Sequence, residues 1–210
     1  GIDPAKMKTL IDSPISGKDI EMAFAQSDYQ AVVERIRAQT ALQPQIGLVL
    51  GSGLGPLANT LEDRVVIPYA DVPQWPRSTV HGHSGQLVLG YLEEQPVVTQ
   101  QGRAHFYEGY TMQQVTFPIR VMHALGIHTL ILTNAAGGVN PKFSVGELML
   151  INDHINFLGL AGQNPLVGPN DDSVGPRFVG LAQAYDRDLR QAARSIATEH
   201  DIPLHEGVYA

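Results

Sequence analysis

Cysteine is absent from the 210-residue chain, which excludes disulfides and thiolate zinc sites and gives no support for export. No apolar run reaches the ~18 residues of a membrane span, and no secretory pattern is expected at the start. Basic residues are scarce. The 14 Lys and Arg stand against 21 Asp and Glu, a formal net charge of −7. That balance argues against general nucleic-acid binding, and any anion site must gather its few cations in one place. What is present, 43% hydrophobic and 17% charged residues, describes an ordinary globular chain with room for one large α/β domain. Residues 7–210 are expected to form that domain. Gly1–Lys6 read as an added remnant, and residues 7–26 as an irregular leader.

The stretch Thr129-Leu-Ile-Leu-Thr-Asn-Ala-Ala-Gly-Gly-Val-Asn-Pro141 organises the rest. Its short apolar run predicts a strand buried on both faces, breaking at Asn134 into tiny residues that let a ligand approach backbone amides. A tight exit turn with Asn134 bonded to its own backbone fits the same residues. Upstream, Ile46–Leu50 predicts a second buried strand, followed by Gly51-Ser-Gly-Leu-Gly-Pro56 and a helix begun by Pro56 and Leu57. Such a turn can present amides to phosphate, with the Ser52 hydroxyl in reach. Pro56 stands where a dinucleotide fingerprint needs its third glycine, and no Gly-Lys-Ser/Thr follows for a Walker loop.

Between these lie further functional side chains. A Pro-rich loop over 68–85 carries His81 and His83, a His-x-His pair with no evident third metal ligand, so His83 is expected to serve a ligand and not a metal. A hairpin over Glu93-Glu94, residues 86–101, runs into Gly102-Arg-Ala-His-Phe-Tyr-Glu-Gly-Tyr110. Arg103 and His105 fall on one side of an extended chain, and Glu108 can hold the imidazole in one tautomer. A surface salt-bridge cluster is the plainer reading. Helices are predicted over about 28–41, from a capping box at Ser27–Gln30; after Thr111 up to Gly126, bent at Pro118; and over 180–200. Strands are predicted at Leu148–Ile151 and from Leu204. The loop from Gly159 to Pro176 is long enough to be functional or an assembly surface, and Phe178 closes it.

Four of these motifs, Gly51-Ser-Gly-Leu-Gly55, Gly102–Tyr110, Asn134-Ala-Ala-Gly-Gly138 and Gly162-Gln-Asn-Pro-Leu166, occur in an order and spacing that resemble the trimeric class of purine nucleoside phosphorylases. The resemblance runs from about residue 27 to the end. It implies a mixed, twisted β-sheet flanked by helices, in an α/β fold of the nucleoside phosphorylase kind. The implied activity is phosphorolysis of 6-oxopurine ribo- and deoxyribonucleosides to free base and (deoxy)ribose 1-phosphate, in cytoplasmic purine salvage, with inorganic phosphate as co-substrate and no metal or organic cofactor. By the same resemblance Ser52, His83, Arg103, His105 and the amide of Ala135 grip phosphate. Tyr107, Asn134 and Phe178 meet the nucleoside, Phe178 being lent to a neighbouring subunit of a homotrimer. A methylthioadenosine phosphorylase of the same fold, and a non-catalytic phosphate-binding or assembly module, are the rivals. In the family, the residues that recognise the purine lie beyond the position of Ala210. The chain is therefore expected to be a truncated or partly observed phosphorylase domain, inactive by itself.

Overall fold

The hairpin predicted around Glu93-Glu94 sits at the middle of a five-stranded sheet. The computed structural model describes residues 24–78 and 84–210. Its sheet strands are β1 (Ile46–Leu50), β2 (Glu62–Pro68), β3 (Gln86–Leu92), β4 (Gln95–Gln101) and β5 (Thr129–Leu132), in the spatial order β2-β3-β4-β1-β5. Strands β2, β3 and β4 form an antiparallel meander, whereas β1 runs parallel to both β4 and β5. Glu93 and Glu94 both adopt left-handed backbone angles (φ 46° and 63°), the conformation a two-residue hairpin turn demands.

Helices cover one face of the sheet. Helix α1 (Gln26–Arg37) buries Tyr29, Val32, Val33 and Ile36, and α2 (Met112–Leu125) buries Phe117, Val121, Met122 and Leu125. Both stripes follow the three-four spacing of an amphipathic helix and join Leu87, Leu89 and Val98 in one core. Each such buried side chain contributes about 1.5–3 kcal/mol of transfer free energy. Val88 and Val97 point the other way, into a smaller cluster with Leu48, Leu50, Ala58 and Leu61. The alternation along β3 and β4 thus buries both faces of the hairpin. Helix α1 begins at Gln26, with the Asp28 carboxylate accepting from the Ala25 amide at 2.7 Å, and not at the Ser27 box. It also stops at Arg37, short of 41. Thr111 caps α2 as expected, accepting from the Gln114 amide while the Gln114 side chain accepts from Thr111 N. Pro118 is accommodated inside the helix.

Three other expectations are corrected, and one strand was not foreseen. Pro56 opens a 3-10 turn, Gly55–Thr60, and no α-helix, because the chain enters β2 at Glu62 through an irregular register near Asp63 (φ 47°). Strand β2, with Val65, Val66 and Ile67, was hidden by its charged start, Glu62-Asp-Arg64. Strand β5 is not buried on both faces. It pairs only with β1 among the described residues, and Ile131 and Leu132 are exposed. The helix expected over 180–200 is α4 (Arg187–Glu199), following the short α3 (Phe157–Leu160). Its start is set by Asp186, whose carboxylate accepts from the amides of Asp188 and Leu189.

Strands β6 (Leu148–His154) and β7 (Leu204–Tyr209) form a separate parallel pair. Arg194 of α4 reaches Glu206 of β7 at 2.8 Å, tying that helix to the pair. No helix among the described residues is long and apolar enough to cross a membrane.

Candidate active site

The parallel register of three neighbouring strands brings the sequence motifs together. Leu50 lies opposite Gln101 on one side of β1, and Val49 lies opposite Leu132 on the other. The glycine-rich loop at 51–55, the Gly102–Tyr110 segment and the Asn134–Gly138 turn therefore leave the sheet side by side, at the carboxyl ends of β1, β4 and β5. That is the edge where open α/β sheets bind ligands.

Hydrogen bonds join the three exits. The Gly51 amide donates to Thr133 Oγ1 at 2.9 Å, and Arg103 Nη1 donates to the Thr133 carbonyl at 2.9 Å. At the far end of the glycine loop, Gln101 Nε2 donates to the Gly55 carbonyl, and Gln86 Nε2 donates to Gln101 Oε1, both at 2.7 Å. The buried Tyr69 hydroxyl donates to the Gly102 carbonyl at 2.6 Å, beside Arg103. Burial pushes its pKa well above the ordinary phenol value, so it remains a neutral donor.

Extended backbone through 103–105 places Ala104 inward, 4% exposed, and leaves Arg103 and His105 half-buried on the opposite side. Burial lowers the Arg103 pKa from its ordinary value, with the nearby Tyr209 and Tyr107 hydroxyls acting against that shift. A guanidinium remains charged at neutral pH regardless. After His105 the chain turns through Phe106–Glu108 and is released by Gly109 at φ 95°. The turn folds Glu108 back onto its own start. Its Oε1 accepts from the His105 amide at 2.7 Å and lies 2.9 Å from His105 Nδ1, while Ser78 Oγ donates to Oε2 at 3.3 Å. The Glu108 side chain is 3% exposed. The Tyr107 ring stacks on the imidazole, with centroids 4.8 Å apart.

Of the residues singled out in the sequence, Ser52, Arg103, His105, Glu108, Tyr107, Asn134 and Ala135 lie on this cluster of strand exits. Ser52, Asn134 and Ala135 are exposed on their turns. Phe178, 90% exposed, makes no ring contact with them among the described residues. His83 lies outside the described residues, as does His81. No three His, Asp or Glu side chains among the described residues converge as metal ligands would. An open cleft of about 370 Å³ lies between Phe106–Gln113 and Gly162–Val167 and borders the cluster along Phe106, Gly109 and Tyr110. Sequence reasoning missed Thr133, Gln101, Gln86 and Tyr69. A signal for one of them was there, since Gln101 ends the polar run Thr99-Gln100-Gln101, which is buried inside a central strand.

Residues 45–210 match the profile of the Phosphorylase superfamily. The chain belongs to that superfamily. Purine nucleoside phosphorylase 1 of Bacillus subtilis (strain 168) is 57% identical over 166 residues, covering 79% of this chain and 60% of that protein. Among solved structures, isoform 2 of the Schistosoma mansoni purine nucleoside phosphorylase, in complex with cytosine and ribose-1-phosphate, superposes with a TM-score of 0.83 at 48% identity, covering 88% of this chain and 66% of its own. The S. mansoni purine nucleoside phosphorylase in complex with inosine gives 0.82 at 43% identity, with coverage of 88% and 65%. The chain thus spans about 60–66% of the length of these relatives. The superfamily assignment agrees with the mixed sheet and helical cover described above, and the purine nucleoside phosphorylases are the relatives it resembles.

Proposed function

We propose that the protein to which this chain belongs catalyses reversible phosphorolysis of 6-oxopurine ribo- and deoxyribonucleosides. The observation that carries the reading is the convergence of the glycine loop, Arg103, the His105–Glu108 pair and the Asn134–Ala135 turn on three adjacent strand ends. The inosine and ribose-1-phosphate held by the S. mansoni relatives supply the substrate class and one product. In this reading Arg103 binds the phosphate dianion, with Ser52, His83 and the Ala135 amide around it, while Tyr107 and Asn134 face the ribose. His105, its Nδ1 held on Glu108, presents Nε2 to phosphate. A phosphate oxygen bonds to the anomeric carbon as the glycosidic C–N bond breaks, and the purine leaves with the electron pair and takes up a proton. The transition state resembles an oxocarbenium ion, so the bound dianion is both nucleophile and counter-charge. Inorganic phosphate is the co-substrate, and this chemistry calls for no metal or organic cofactor.

The test is hypoxanthine release from inosine by the full-length protein with and without phosphate. Release that saturates with phosphate is expected, and phosphate-independent release would refute the reading. Glu108→Gln removes a charged acceptor from His105 and sets an amide beside its donors. It should lower kcat/KM about tenfold without abolishing turnover, as loss of one charge-assisted hydrogen bond does. A covalent adduct trapped on His105 would contradict the positioning role.

The assembly we propose is a homotrimer in a cytoplasmic setting, with residues 7–210 belonging to a single phosphorylase domain. Phe178, an exposed aromatic in a polar segment, would complete a neighbour's ribose site. Mixing Phe178→Ala and Arg103→Gln subunits, at a phosphate concentration where each alone turns over poorly, should then restore part of the activity, because some sites draw both residues from intact copies. Verified mixed trimers without any recovery would count against sharing.

A further inference from the structure

We propose that Thr133 is a positioning residue that locks the glycine-rich loop, the Arg103 side chain and the Asn134–Ala135 turn into one anion-binding frame. This inference rests on the phosphorolysis reading. Every polar atom of Thr133 is engaged across the sheet. Its hydroxyl accepts from the Gly51 amide at 2.9 Å and donates to the Val49 carbonyl at 3.0 Å. Its own amide donates to that same carbonyl at 3.0 Å. Its carbonyl accepts from Arg103 Nη1 at 2.9 Å, and Asn134 and Ala135 follow directly in the chain. One residue therefore touches the end of β1, the chain leaving β4 and the turn leaving β5.

Two consequences follow for the site. The Gly51 N–H, the first donor of the glycine loop, is occupied by Thr133 and faces the protein, so the loop must offer an anion Ser52 and whatever follows it. Second, one edge of the Arg103 guanidinium is held against a backbone carbonyl, which fixes the plane in which its remaining N–H groups lie. A planar fork is useful to a phosphate only if its orientation is settled beforehand. A valine at 133 keeps the shape and the carbonyl but removes the hydroxyl, orphaning the Gly51 amide. Serine keeps the hydroxyl.

The experiment compares Thr133→Val and Thr133→Ser in the full-length protein, reading the KM for phosphate, the KM for inosine, and amide hydrogen exchange at Gly51. Thr133→Val should raise the phosphate KM roughly tenfold while the inosine KM changes little, and Gly51 exchange should accelerate. Thr133→Ser should restore both readings. If the valine variant does not accumulate as folded protein, Thr133→Ala removes the same hydroxyl and is read in the same way. An unchanged phosphate KM in the hydroxyl-less variant overturns the proposal, whatever its melting temperature. Should the unmodified protein show no phosphate saturation, the functional reading fails. Gly51 exchange then still decides the joint: equal exchange in all variants refutes it, and loss of protection rescued by serine upholds it.

Discussion

Arg103→Gln should raise the phosphate KM by one to two orders of magnitude and leave nucleoside binding less affected. The guanidinium is the cation of the Gly102–Tyr110 segment in a chain with net charge −7, so the local positive field depends heavily on it. Its loss removes a charge-assisted contact worth about 1.5–3 kcal/mol, a factor of roughly ten to a hundred. Partial burial raises that value above an exposed ion pair's, because less water screens the charge. Glutamine is also too short to keep both the Thr133 carbonyl and a ligand. Arg103→Lys should fall between the two, retaining charge while losing the planar fork. Phosphate titrations of initial rate decide this. A saturation curve for Arg103→Gln that overlays the unmodified one would remove Arg103 from the site.

The sheet edge that carries the site was legible because glycine, arginine and asparagine mark strand exits whose neighbours are strongly apolar. Ile46–Leu50 and Gln86–Gln101 gave strands by composition and turn chemistry, and the structure keeps those boundaries closely. The His105–Glu108 pairing was equally visible, since the donor and the acceptor stand three positions apart across a turn ending in glycine. What escaped had a common cause. Strand β2 begins with three charged residues, and its apolar side faces the core only once β3 is paired to it. Leu130–Leu132 look fully buried by composition, yet burial is decided by what lies beyond the strand, and among the described residues β5 is an edge. Thr133 is a common strand-end residue. Its importance arises from partners more than eighty positions away in sequence at Gly51 and Val49, which no local pattern encodes.

Gly51→Ala is expected to damage fold and site together, and the reason is steric. A Cβ at Gly51 would lie 2.6 Å from the Thr133 carbonyl oxygen and 2.9 Å from Asn134 Cα. Both are backbone atoms, so no side chain can rotate aside. Relief requires the ends of β1 and β5 to part, stretching the Gly51–Thr133 hydrogen bond and the contact from Thr133 N to the Val49 carbonyl at 3.0 Å. Overpacking of this kind costs about 1–3 kcal/mol, occasionally more. For a chain of this length each kcal/mol corresponds to about 2–4 °C in melting temperature. Because Arg103 is tied to the same Thr133 carbonyl, separating the strands also shifts the guanidinium. The phosphate KM should therefore rise together with the loss of stability. Gly53→Ala makes the contrast within the same loop. Nothing lies within 4 Å of its Cβ, and its cost arises only from a left-handed backbone at φ 86°. It should lose about 1–2 kcal/mol of local stability without separating β1 from β5. Thermal melts and phosphate titrations of the two variants distinguish the effects. If Gly51→Ala melts and saturates like the unmodified protein, the close packing of loop against turn is not what holds this site in shape.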